Sequence, residues 1–172
     1  VSVNNGARII FCDLDGTSLF ELALRDGKYV AIGDKEYAID AEASAISANK
    51  VVYFELDLDN DKALVVIDGK EAGTFGMNKD AKNLARMSYA TTEKDEFLFS
   101  VQTTRMYVNY TVNDDFIYNS VGEKPYGWDV TGNVLVETKA SDWEMNSVKL
   151  NGKAAASRKF EKIRNKFVYE TY

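Results

Sequence analysis

Apolar residues recur at every second position in several separate runs of this chain. Val52, Phe54, Leu56 and Leu58 share one face of a segment whose other face is Tyr53, Glu55 and Asp57. Met106, Val108, Tyr110 and Val112 alternate in the same way with Tyr107, Asn109, Thr111 and Asn113. Phe20, Leu22 and Leu24 lead into Asp26-Gly27, and Val30 and Ile32 lead out of it. Phe97, Phe99 and Val101 mark a further strand face, and Phe167 to Tyr172 a closing strand. Period-two alternation turns one set of side chains to a core and the other to water. That is the pattern of antiparallel sheets with one solvated face.

The turns agree. Asp26-Gly27-Lys28, Asp68-Gly69-Lys70 and Asn151-Gly152-Lys153 repeat one signal. Asp-Gly and Asn-Gly supply the positive φ angles that two-residue type I′ hairpins require, so each predicts a tight reversal. Gly33-Asp34 marks a fourth. Helical composition is confined to Asp80–Tyr89, and to Ala154–Lys166, where Phe160 and Ile163 stand three apart and basic residues gather toward the end. The expected fold is therefore mainly β: a single domain over 1–172, an antiparallel β-sandwich of jelly-roll type with one or two short helices. The chain opens on Val1 and is expected to be excised from a larger protein.

Composition narrows the chemistry. Hydrophobic residues make up 45% of the 172 positions, enough for a real core in one domain. Histidine is absent, which removes His-based triads, His-ligated zinc and imidazole acid–base catalysis. Cys12 is the single cysteine, so no internal disulfide or cysteine metal cluster can form. The net charge of −6 disfavours contact with a phosphate backbone, so no nucleic-acid partner is expected. No apolar run approaches the roughly 18 residues of a membrane span, so no membrane insertion is expected.

Ile9-Ile10-Phe11-Cys12 runs into Asp13-Leu14-Asp15-Gly16-Thr17. This D-x-D-G-T string resembles the first motif of the haloacid dehalogenase phosphohydrolases. The resemblance implies Asp13 as nucleophile, Asp15 as general acid and base, and Mg²⁺ held by both. It also implies a doubly wound parallel sheet, a later strand ending in Ser or Thr, a Lys, and a late acidic pair. Ser100 or Thr103 and Asp114-Asp115 could fill two of those roles, but only Arg105, and no Lys, lies between Thr103 and Asp114. The other reading of the same residues is a strand ending in an Asp-rich β-turn.

Asp57, Asp59 and Asp61, with Asn60 and Asp68, place oxygen ligands at alternate positions, as a Ca²⁺ loop does. Lys62 stands where an EF-hand needs its sixth-position Gly, so the candidate is a hairpin-loop site, against a plain solvated turn. The candidate ligand-binding residues are aromatic. Tyr126, Gly127, Trp128 and Asp129 follow Pro125 in a turn-rich stretch, where rings can stack on sugar C–H faces while short polar groups hydrogen-bond. Trp143, Tyr107 and Asn109 complete the set; for each, the alternative is a core or cross-strand aromatic pair.

Through the meander around Asp26-Gly27, the pair Val51–Leu58 and Ala63–Ile67, and the loop Tyr126–Asp129, the chain resembles lectin-like β-domains. These include concanavalin A- and galectin-type sandwiches and the glycan-binding heads of viral or phage attachment proteins. The resemblance implies a non-enzymatic domain that binds a glycan or glycoprotein receptor, outside the cell or on a virion surface, with homo-oligomers formed through the parent protein. The alternatives are the Mg²⁺-dependent phosphohydrolase on Asp13 and Asp15, and a purely structural assembly module.

Overall fold

The computed structural model describes residues 6–25, 27–40, 50–81, 83–91, 98–101, 104–107, 111–114, 116, 119–138, 146–163 and 166–171. Among them every regular element is a strand, in the order β1 (Arg8–Cys12), β2 (Ser18–Arg25), β3 (Lys28–Ile32), β4 (Glu36–Ala38), β5 (Val52–Asp57), β6 (Lys62–Ile67) and β7 (Lys70–Gly76). Then follow β8 (Leu84–Ala90), β9 (Leu98–Val101), β10 (Thr104–Tyr107), β11 (Thr111–Asp114), β12 (Asp129–Thr138), β13 (Asn146–Ile163) and β14 (Lys166–Thr171). They build two sheets. One has eight strands, ordered β12-β13-β8-β1-β2-β3-β4 with β9 also against β13; the other has six, ordered β11-β10-β14-β5-β6-β7. Neighbouring strands are antiparallel, β1 with β2 and β14 with β5 among them.

The core lies between the sheets. Val52, Phe54 and Leu56 of β5 are buried while Tyr53, Glu55 and Asp57 are half-buried, as their alternation requires. Phe54 meets Phe11 edge-on at 5.0 Å and Phe20 at 6.2 Å, joining the six-stranded sheet to β1 and β2. Tyr169 of β14 packs on Phe11 at 5.5 Å, and its hydroxyl meets that of Tyr89 from β8 in the interior. Such edge-on and offset ring pairs add to the area they bury. One continuous apolar cluster therefore spans both sheets. Strand β2 is covered on both faces, so even Glu21 is buried. Arg8 neutralises it through a two-pronged contact, with Nε 2.6 Å from Oε1 and the second nitrogen on Oε2.

Three reversals form as expected. Asp68 and Gly69 have φ of 51° and 75°, type I′ values, and Ile67 pairs with Lys70 around them. Arg25 pairs with Lys28 around the Asp26-Gly27 link, with Gly27 at φ 75°; Asp26 itself lies outside the described residues. Gly33 to Lys35 closes β3 on β4, the fourth reversal.

Three expectations need correction. Neither helix is present among the described residues. Asp80 belongs to a turn in which its N–H donates to Asn78 Oδ1 at 3.0 Å, and Leu84–Ala90 is an interior strand with Leu84, Met87 and Tyr89 in the core. Ala154–Ile163 lies in β13, where Ala154 and Ala156 are buried and Ala155 and Ser157 half-buried. Pairing on both flanks satisfies these backbones and overrides their helical composition.

Asn151-Gly152 is not a hairpin but a bulge inside β13. Asn151 pairs with Asn133 and Ala155 with Thr131, so Gly152, Lys153 and Ala154 stand opposite Gly132 alone. Here β13 also exchanges its other neighbour, β9 up to Asn151 and β8 from Ala155. Thr91 fastens the bulge: its N–H donates to Ala154 O at 2.9 Å, its Oγ1 accepts from Ala154 N at 3.1 Å, and its hydroxyl donates to Gly152 O.

The Met106–Val112 run is not one strand either. It folds back as β10 and β11, with Met106 opposite Val112 and Tyr107 opposite Thr111. Each of these pairs joins residues of the same parity, so alternation alone could not tell one strand from two.

Candidate functional site

Residues 119–128 form a braced loop leading into β12. Asn119 donates its N–H to Phe116 O at 3.0 Å, and Asn146 Nδ2 donates to both Phe116 O and Asn119 O at 3.1 Å. Gly122 N–H donates to Val136 O at 2.7 Å and Val136 N–H to Glu123 O at 2.8 Å, tying the loop to β12. Phe116 has φ 58°, a conformation that bulky residues rarely hold. Strain of this kind persists only where surrounding structure over-determines it, and such sites concentrate at functional loops. Packing of the Phe116 ring against Trp128 at 6.0 Å supplies part of that constraint.

The tip is Pro125-Tyr126-Gly127-Trp128. Trp128 N–H donates to Pro125 O at 3.4 Å, and Gly127 has φ 79° at the third position, the arrangement of a type II turn. The turn sends its two large aromatics to opposite sides. Trp128 is 8% exposed and stacks on Tyr89 at 5.6 Å with an interplanar angle of 19°. Tyr126 is 88% exposed. Asn119 Oδ1 accepts the Tyr126 N–H at 2.5 Å, so the backbone beneath the exposed ring is held in place.

The expectation that Trp128 lines an exposed surface is thereby corrected. Trp128 closes the core beside Tyr89 and Phe116, and Tyr126 alone of the pair faces solvent. Asp129 is exposed and pairs with Lys159 of β13 at 3.2 Å. Arg158, half-buried, brings its guanidinium behind the turn, with Nη1 3.7 Å from the place a Cβ on Gly127 would occupy. Among the described residues the large exposed apolar side chains are Leu14, Val121, Tyr126 and Leu135. All but Leu14 belong to this loop or to β12.

The remaining candidates are scattered. Tyr107 lies in β10 of the six-stranded sheet, whereas Asp129 opens β12 of the other. Trp143 and Asn109 lie outside the described residues. Residue-type reasoning missed Asn119 and Arg158. An Asn shortly before a Pro-x-Gly turn is a recognisable brace, since its side chain readily bonds nearby backbone. Arg158 carried no such signal, because its segment read as the solvated face of a helix.

The D-x-D-G-T residues form the turn between β1 and β2. Asp13 Oδ1 accepts the N–H groups of Asp15 at 3.0 Å and Thr17 at 2.9 Å, while Gly16 N–H donates to Asp13 O at 3.2 Å. Asp13 is buried, and β1 pairs antiparallel with β2 rather than feeding a helix beside a parallel sheet. Cys12 is buried on the same strand, and burial pushes its thiol pKa up, away from the reactive thiolate.

The Asp57–Asp61 loop spends its carboxylate on itself. Asp57 Oδ1 accepts from Asp59 N at 3.2 Å and Asn60 N at 3.1 Å, and Oδ2 accepts from Asn60 Nδ2 at 2.8 Å. Among the described residues no three acidic, His or Cys side chains converge as metal ligands would. Asp68, at the next turn, holds Lys50 Nζ at 2.5 Å and Val51 N–H at 2.9 Å. Partial burial opposes its ionisation, yet these two partners outweigh that and keep its pKa below the usual carboxylate value.

A scan against models of known protein families finds none that matches this chain, and a search of curated proteins finds no match either.

Proposed function

We propose that this β-sandwich is a non-enzymatic carbohydrate-binding domain of the kind used in host or receptor attachment, with the Pro125–Trp128 turn as its contact. The observation that carries this reading is Tyr126, a large aromatic almost wholly in water on a backbone braced by Asn119 and anchored by Trp128. A free tyrosine face stacks on sugar C–H groups, and a pre-ordered loop loses little entropy on binding. Asp129, exposed and three residues further along the chain, and the backbone of the turn supply hydrogen-bonding groups. The partner would be a glycan or glycoprotein receptor, at individual-site affinities near millimolar, about −4 kcal/mol.

Glycan-array screening of the protein beside its Tyr126→Ala variant tests the reading. Binding to a defined set of saccharides that Tyr126→Ala removes, with an unchanged circular dichroism spectrum, is the expected result. An array on which the two proteins are indistinguishable would overturn it.

A further inference from the structure

Arg86 is half-buried, its Nε is wholly covered, and it meets no hydrogen-bonding or ionic partner among the described residues. Met87 and Tyr89 point into the core, so Arg86 and Ser88 face outward from β8. Charges around it are already matched. Arg8 forks Nε and a terminal nitrogen onto Glu21, and Lys159, beside Arg86 in the sheet, holds Asp129 at 3.2 Å. Asp13 follows Cys12, the residue paired with Arg86 on β1, and its Oδ1 accepts the N–H groups of Asp15 and Thr17. The chain carries 27 acidic residues against 21 basic ones, yet no described acid pairs with Arg86. A guanidinium drawn partly out of water without a bonded partner costs free energy, and native folds keep such a group where water or a ligand completes it. A second donor stands on the same face. Ser88 Oγ and Ser157 Oγ lie 2.8 Å apart across β8 and β13. Two hydroxyls that bond each other use one proton and leave the other to donate.

We propose that Arg86 and the Ser88–Ser157 hydroxyl pair form a binding site for a phosphate or sulfate group on the outer face of the eight-stranded sheet. The site is independent of the Pro125–Trp128 turn and of the carbohydrate reading. Two residues along a strand span about 7 Å, so the guanidinium and the serine pair can share one small ligand. A tetrahedral oxyanion gives two oxygens to the guanidinium fork and a third to the remaining hydroxyl proton. A planar carboxylate fills the fork but has no third oxygen to offer. Partial burial strengthens the contact relative to a fully solvated cation. The net charge of −6 opposes diffuse accumulation of anions, so saturable binding would report a local site.

The test is nitrogen–proton correlation NMR of the isotopically labelled full chain, titrated with inorganic phosphate, inorganic sulfate or acetate at constant ionic strength in chloride. The expected result is saturable shifts at the Arg86 Nε–H and at the amides of Ser88 and Ser157, with a Kd near about 1 mM for phosphate or sulfate. Comparing those two arms identifies which oxyanion is preferred, and acetate should bind about threefold more weakly or worse. Arg86→Gln should weaken binding about tenfold or more, as loss of a charge-assisted contact does, and Ser157→Ala about threefold. Should Arg86→Gln fail to fold, the unaltered protein decides. The preferred anion should then slow modification of Arg86 by phenylglyoxal, read by peptide mass mapping. Shifts that stay linear in anion concentration, saturable binding that Arg86→Gln leaves unchanged, or an Arg86 that neither anion protects would each overturn the inference and leave Arg86 as a cation completed by water.

Discussion

Replacing Trp128 by Ala should unfold a substantial part of this protein's stability, although Trp128 sits in a loop next to one of its most exposed residues. The indole is 8% exposed, stacks on Tyr89 at 5.6 Å and tilts against Phe116 at 6.0 Å. A tryptophan buries on the order of 200 Å², worth about 5 kcal/mol at roughly 25 cal/mol per Å². An extended-chain reference overstates that area, so the lower part of the range for large-to-small core changes is apt, about 3–4 kcal/mol. Tyr126→Ala, two turn positions away, should cost less than about 0.5 kcal/mol because nothing around the ring is desolvated. Urea unfolding followed by far-ultraviolet circular dichroism measures both without relying on the deleted fluorophore. A Trp128→Ala loss below about 1 kcal/mol would refute the assignment of this residue to the core.

Three further outcomes follow from the same contacts. Burial, helped by the negative charge of Asp68, raises the Tyr29 hydroxyl pKa to about 12. Tyr29 ionises near pH 10 in the unfolded chain, so the stability it contributes below that pH should fall by about 2–3 kcal/mol between pH 10 and 12; denaturant titrations should show the loss, and Tyr29→Phe should reduce it by that amount. Thr91→Val removes the hydroxyl that holds Gly152 O and Ala154 N at the β13 bulge, and should cost about 1–3 kcal/mol in thermal or urea unfolding. Gly132→Ala would set a Cβ 2.3 Å from Lys153 O at φ 76°, so it should destabilise by more than about 2 kcal/mol, where an Ala at the open Gly16 position meets no such clash.

The strands that sequence revealed were those whose large side chains alternate, such as β5, whose apolar face survives unchanged between the sheets. Ala154-Ala155-Ala156-Ser157 also alternates in burial, but small side chains leave the alternation invisible, and helix-forming composition suggested the wrong period. Its conformation is decided by β12 and β8 on either flank, which are non-local partners. The candidate loop was found from Pro125, Gly127 and its aromatics. Which aromatic faces water was not legible, because that depends on Tyr89 arriving from β8 to receive Trp128. Asp13-Leu14-Asp15-Gly16-Thr17 shows the limit of local reading: turn geometry and metal chemistry both call for Asp and Gly, so these five residues carried two readings, and the N–H groups that Asp13 accepts from Asp15 and Thr17 are those of the turn.

The last two strands in chain order are interior in both sheets: β13 lies between β12 and β8, and β14 between β10 and β5. A nascent chain on the ribosome therefore carries β8 and β5 with open flanks until these late segments emerge. Loop closure over such separations makes folding slow, on the millisecond-to-second scale typical of sandwiches rather than the microseconds of helical bundles. Unpaired, apolar β5 and β8 are templates for wrong partners during that interval. Truncation before β13 should thus yield an aggregating chain rather than a smaller sandwich, and premature termination would be as damaging to this protein as any substitution within its core.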